Sequence, residues 1–274
     1  MSKAIQVRKK NGEVEAYDRS KLEASLRNSG ATESQIKEVA DHIQKELKHN
    51  ITTDWIYKHA FEELKKIGSR PSSFRYSLRR AIADLGPSGF PFEQYVGQLF
   101  TQNGYQVKIG QKTNGKCVVH EIDLIAENDT EIVTAELKFH NKHNLHSDLK
   151  TVLYVRERYR DIQDSGFYGD KKARPMLITN TKFTSNAIDY ATCSGLELLG
   201  WNYPVKGDGL HDIIQNARIH PITAIGGFNK REVKKLIEAG FVTCQDIKRN
   251  GGRDALNTGI INKKKLDQAW QDIE

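Results

Sequence analysis

The chain has 274 residues, enough for two or three domains, and 38% hydrophobic content supports real cores. Its net charge of +7 favours a polyanionic partner. No apolar run approaches membrane-spanning length and the N-terminus lacks an apolar signal core, so a cytosolic protein with no membrane contact is expected. Cys117, Cys193 and Cys244 are scattered and odd in number, which reads as free thiols rather than zinc ligands or a disulfide framework.

In chain order, 5–10 and 13–17 read as short strands around Asn11-Gly12, a strong hairpin signal because both positions accept positive φ. Asp18 caps a helix with Leu22 and Leu26 on one face. Helices over 33–48, from Thr52-Thr53-Asp54 to Lys66, and over 74–85 complete a small helical domain spanning residues 1–85. Basic side chains on the hairpin and near helix starts can converge on a triphosphate, assisted by a helix N-terminus.

The stretch VRKKNGEVEAYDRSKL closely resembles the ATP-cone, a regulatory nucleotide-binding domain. The resemblance selects Val7, Lys9, Lys10, Glu15, Lys21, Leu22 and Thr53, with Arg75, Tyr76 and Arg79 in the last helix, and implies ATP or dATP as ligand. The family usually has Arg where this chain has Lys10, which turns a bidentate phosphate contact into a single one. The alternative is a degenerate cone kept for its shape.

Gly86-Pro87-Ser88-Gly89 breaks the helix and makes a linker. A helix follows from Gly89 to Phe100, carrying Glu93 near its start, and 107–109 begins a sheet that Asn114-Gly115 can turn. The central stretch is EIDLIAENDTEIVTAELK. It reads as strands over 118–126 and 131–139 around a polar turn at 127–130. Alternation puts Ile132, Thr134, Glu136 and Lys138 on one face. The hairpin would bring Asp123 beside Glu136 and Lys138, and the preceding helix could aim Glu93 at the same edge. Two or three carboxylates suit a hard octahedral cation such as Mg²⁺. An ammonium two residues away can stabilise charge on an attacking water or a phosphate. A lone Glu-x-Lys would ordinarily be a solvated strand; Asp123 inside an apolar run is what argues for a site.

Glu93, Asp123 and Glu136-Leu137-Lys138 resemble the PD-(D/E)XK nuclease core, most closely its Mrr-like restriction branch, from about Gly86 to Pro204. The resemblance implies catalytic roles for Glu93, Asp123, Glu136 and Lys138, with Mg²⁺ or Mn²⁺ on Asp123, Glu136 and Glu93. Many Mrr-like members carry Gln where Glu136 stands, and the "P" of the motif is Ile122 here.

After Lys138, His140, His143 and His146 recur at i, i+3, i+6. With no Cys or paired carboxylate nearby they fit zinc poorly; a loop reaching DNA and a plain solvated loop stay open. An amphipathic helix over 148–163 bears Lys150, Arg156, Arg158 and Arg160, and strands over 176–179 and 196–199 flank a helix near 185–193. This order means a mixed α/β sheet, assigned to residues 86–209. Residues 210–274 are basic and helical, and Ile225-Gly226-Gly227-Phe228 looks somewhat like a helix-hairpin-helix, open to DNA contact or to a helical lid role.

The expected fold class is therefore multi-domain α/β. A mostly helical ATP-cone with a β-hairpin comes first. A restriction-endonuclease-like mixed sheet flanked by helices follows, and a small helical unit ends the chain. The expected function is a Mg²⁺-dependent DNA endonuclease regulated by ATP or dATP, in restriction, defence or repair, and acting as a homo-oligomer. A nucleotide-sensing DNA-binding regulator with a catalytically weak nuclease fold is the alternative, and a nuclease for RNA or branched DNA is a third.

Overall fold

The computed structural model describes residues 5–9, 12–29, 31–67, 70–142, 145–205 and 208–273. The chain forms two compact units, Met1–Arg79 and Arg80–Glu274.

In the first unit, β1 (Gln6–Arg8) and β2 (Val14–Ala16) pair antiparallel, as the hairpin signal predicts. A two-residue strand, β3 (Ile51–Thr52), adds to β1 in parallel. It is too short to leave a pattern in the sequence. Helix α1 (Arg19–Asn28) is capped by the Asp18 side chain, which accepts from the Ser20 N–H. Helix α2 (Glu33–Glu46) opens with a reciprocal Thr32–Gln35 capping box. Helix α3 (Thr53–Lys66) is capped by Thr52, and α4 (Arg70–Ala83) follows. Val7, Leu22, Leu26, Ile36, Val39, Ile43, Ile56, Ala60 and Leu64 fill the core. Helices α1, α2 and α3 thus each bury one stripe, as apolar positions three and four apart require.

The second unit begins with α5 (Phe90–Gln102), followed by β4 (Gln106–Asn114), β5 (Val119–Glu127) and β6 (Glu131–Lys138). These strands form an antiparallel meander. The turn between β5 and β6 is held by the Asn128 side chain, which accepts from Thr130 and Glu131 N–H groups, each at 2.9 Å. Short β7 (His146–Ser147) leads into α6 (Leu149–Asp164), capped by Asp148. Then come β8 (Lys172–Thr179), β9 (Lys182–Phe183), α7 (Ser185–Ser194) and β10 (Glu197–Leu199). The five-stranded sheet has the order β10-β8-β6-β5-β4, with β6, β8 and β10 parallel. Parallel neighbours need crossovers, and α6 and α7 supply them. A separate parallel pair joins β7 to β9.

Helix α6 lays Val152, Val155, Tyr159 and Ile162 onto Ile122, Ile125, Ile132 and Leu177 of the sheet. On the other side α5 lies close to β4. A Cβ at Gly97 would sit 3.0 Å from Ile109 Cδ1 and 3.2 Å from Val107 Cγ1, so a larger residue would push the helix away.

The chain ends in α8 (Leu210–Ala217), α9 (Lys230–Glu238), α10 (Cys244–Lys248), α11 (Arg253–Asn257) and α12 (Lys263–Ile273). These helices belong to the same compact unit as the sheet. The Tyr95 hydroxyl donates to the Ile219 carbonyl at 2.6 Å, and Gln98 Nε2 donates to the buried Asp246 carboxylate at 2.9 and 3.1 Å. Both anchors come from α5, so the C-terminal helices are fixed to the element that carries Glu93. The left-handed residues of this region are Asn250, Gly251 and Gly252 rather than the Gly226-Gly227 pair, besides Arg218, Gly240 and Gly259.

Candidate active site

The β5–β6 ladder runs from Glu127 opposite Ile132 to Leu124 opposite Ala135. One step further, where Asp123 would face Glu136, the pairing stops. There the Asp123 Oδ2 accepts the Leu137 N–H at 2.7 Å. The carboxylate takes a backbone donor that the strand edge leaves over, and no hydrogen bond to its second oxygen is found among the described residues. Asp123, Glu136 and Lys138 are thereby gathered where the two strands part.

Glu136 is 4% exposed, and a buried carboxylate must be paired. Its Oε1 accepts from Lys138 Nζ at 2.6 Å, and its Oε2 accepts from Arg158 of α6. Arg158 NH1 also donates to the Glu121 carbonyl at 3.1 Å. Glu93 lies in the first turn of α5. Burial, then the charges of Asp123, Glu121 and Glu136, push its carboxyl up to about 7. Burial and then Glu136 also raise Asp123. The charges of Asp123 and Glu136 act on Glu93, and that of Glu136 acts on Asp123, so the three carboxylates lie within electrostatic reach of one another.

Asn180 prolongs β6 past Lys138. Its side chain accepts from His140 N–H and donates to the His140 carbonyl, both at 2.8 Å, imitating a strand neighbour. His140 therefore continues the alternation of Glu136 and Lys138. Its Nε2 is buried and has no hydrogen-bond partner among the described residues. Burial, then Lys138 and His146, lower its pKa. His143 lies outside the described residues, and no group of three His, Cys, Asp or Glu suited to a metal is formed among those described.

The donor set nevertheless fits a hard divalent cation in its chemistry: three oxygen-bearing carboxylates, two of them with raised pKa values that a positive charge would relieve. Glu136 is meanwhile paired with Lys138 and Arg158. Arg158 carries no motif signal. Its one trace in the sequence is a basic residue directly beside the buried position Tyr159. Asn180 likewise could not be found before the ladder was known.

In the first unit, Val7 and Leu22 are core residues. Lys9 reaches Glu15 at 2.9 Å and Glu13 at 3.4 Å, and Lys21 reaches Glu15 at 3.3 Å. The Lys9 ammonium beside Glu15 holds that carboxyl below its usual range. Thr53 opens α3, and burial lowers the Arg79 guanidinium. Two lysines gathered on one carboxylate fit a phosphate chain, which could take over that pairing. Lys10 lies outside the described residues, and nothing is described for the side chains of Arg75 and Tyr76.

Residues 5–84 match the ATP cone domain family, and residues 86–202 match the restriction endonuclease family of the Mrr catalytic type. An uncharacterized protein of Archaeoglobus fulgidus is 34% identical over 169 residues, which is 62% of this chain and 92% of that protein. The crystal structure of a protein of unknown function aligns with a TM-score of 0.57 and 30% identity, covering 68% of this chain and 96% of that one. No helix among the described residues is long and apolar enough to cross a membrane. The chain belongs to the family of these proteins, and it joins an ATP-cone domain to a restriction endonuclease domain of the Mrr type.

Proposed function

We propose that this protein is a Mg²⁺- or Mn²⁺-dependent DNA endonuclease whose activity is set by ATP or dATP at its ATP-cone. The observation that carries this reading is the meeting of Asp123, Glu136 and Lys138 where β5 and β6 part, with Glu93 in electrostatic reach. Asp123, Glu136 and Glu93 would hold the divalent ion, which supplies a Lewis acid for phosphoryl oxygen and an acidified water. Lys138, 40% exposed at the strand end, stabilises negative charge on the phosphate. Glu93, raised to about 7 by burial and the neighbouring carboxylates, would be drawn into its ionised form by the cation.

Val7, Lys9, Lys10, Glu15, Lys21, Leu22, Thr53 and Arg79 are the proposed nucleotide residues. A cone carries no chemistry of its own, so nucleotide binding must change something else. Cutting both strands calls for two active sites, and one chain supplies one. ATP is therefore proposed to shift the balance between homo-oligomers and so the cleavage rate, with restriction, defence or repair as the setting. Domain limits of 1–85, 86–209 and 210–274 serve this division of labour.

A second reading has its own observation. Both Glu136 oxygens are already held by cations, which favours a nucleotide-sensing DNA-binding regulator with weak catalysis. Plasmid nicking separates the two. The endonuclease nicks in Mg²⁺, stops in EDTA and changes rate with ATP. DNA retention without nicking in either ion would establish the regulator instead.

A further inference from the structure

Tyr154 stands on the solvent side of α6 and is 62% exposed, whereas Tyr159 on the same helix is 1% exposed. An aromatic left in water is informative when something holds it in place. Here the Arg158 guanidinium carbon lies 4.7 Å from the Tyr154 ring centroid, an i,i+4 cation–π contact. The same guanidinium donates to Glu136 and to the Glu121 carbonyl. Through one cation, the ring is fixed relative to the carboxylate at the centre of the candidate site. Arg158 takes part of the ring, and the remainder faces solvent. Lys150, one turn earlier on the same side of α6, is exposed, and Leu153 beside the ring is 40% exposed.

An open aromatic face with an exposed cation beside it, here Lys150, is the arrangement that stacks a nucleobase while the cation meets a neighbouring phosphate. A base paired inside a duplex offers neither face, because its neighbours already cover both. The ligand that fits is a base that has left the stack or never entered one.

We propose that Tyr154, held by Arg158, forms a stacking subsite for an unpaired nucleobase next to the phosphate met by Lys138, so that the site takes single-stranded or distorted DNA in preference to intact duplex. This rests on the endonuclease reading and narrows its substrate class.

The test uses the full chain in EDTA with oligonucleotides carrying 2-aminopurine, either single-stranded, in a bulge, or fully paired. The wild-type protein should quench the fluorescence of the single-stranded and bulged probes and leave the paired one unchanged. Tyr154→Ala should abolish the quench and weaken single-strand binding by about tenfold, the loss expected of one base–aromatic stack. Tyr154→Trp should retain both, and binding of intact duplex should change less than about twofold in either variant. Because Tyr154 is exposed, the melting temperature of Tyr154→Ala should match wild type, which separates lost stacking from lost fold. An unquenched wild type, or a Tyr154→Ala variant that quenches and binds as wild type does, overturns the subsite. Cleavage by the wild type in Mg²⁺ is measured alongside. Its absence would overturn the endonuclease reading while the quench result still decides the stacking.

Discussion

Arg158 of α6 donates to the Oε2 oxygen of Glu136 on β6, and both side chains are almost wholly buried, at 12% and 5% exposure. A buried pair of this kind is costly to break from one side, because the remaining charge loses its partner. The arginine balances the charge of that carboxylate.

Arg158→Gln should therefore destabilise the second unit. Lys138 still pairs with Glu136, so a loss of roughly 2 kcal/mol is expected, under the full cost of a broken buried pair. Mg²⁺ should restore part of it, raising the melting temperature of the variant more than that of wild type. Thermal unfolding in EDTA and in Mg²⁺ measures this. Equal melting temperatures in EDTA would show that the pair contributes nothing.

Lys138→Ala and Glu136→Ala should each lower cleavage by about 100-fold or more, as expected when a group acting on transition-state charge is removed. DNA affinity should stay within a few-fold. Asp123→Ala should bind DNA somewhat more tightly, since one negative charge beside the phosphate is gone. Single-turnover cleavage together with anisotropy titration tests this. Wild-type rates in both single variants would mean that the site lies elsewhere.

Glu93 gives a pH prediction. Its carboxyl is pushed from 4.5 to about 7, first by burial and then by Asp123. A raised value means that the folded protein holds the proton more tightly than the unfolded chain does. The associated stability is fully present below about pH 4.5 and is lost as pH rises through about 7. Asp123, raised by burial and Glu136, acts with the same sign. In EDTA, the melting temperature should decline across that window, and Glu93→Gln should flatten the decline. A variant with the wild-type slope would reject Glu93 as the source.

Lys9→Ala with Lys21→Ala should remove the response to ATP and leave basal cleavage intact, because both lysines pair with Glu15 of the cone and neither belongs to the nuclease domain. Light scattering and nicking at fixed free Mg²⁺, with and without ATP, report mass and rate together. Coupling requires that nucleotide bind one assembly more tightly than another. Unchanged mass and rate at saturating ATP in the wild type would leave the cone a structural relic.

With a net charge of +7, DNA affinity should come mainly from phosphate contacts and fall linearly in log salt. Titrations between 50 and 200 mM salt, typically enough to cost a phosphate-binding protein a factor of about 10³ or more, would show it. A flat response would point to a protein partner.

The sequence alone determined whatever depends on local pattern. The alternation of 131–138 placed Glu136 and Lys138 on one strand face. The polar 127–130 turn returned that strand against Asp123, and Asp18 and Thr52 marked two helix starts. These signals survive in one dimension because strand and helix periods, turns and caps involve residues a few positions apart. The tertiary structure decided everything that depends on partners far apart in the chain. Arg158 reaches Glu136 across 22 positions and Asn180 completes the ladder at His140 across 40. Gln98 fastens the C-terminal helices through Asp246 across 148. An arginine on an amphipathic helix looks alike in sequence whether it meets water or a buried carboxylate. Only the packing of α6 on the sheet chose between them.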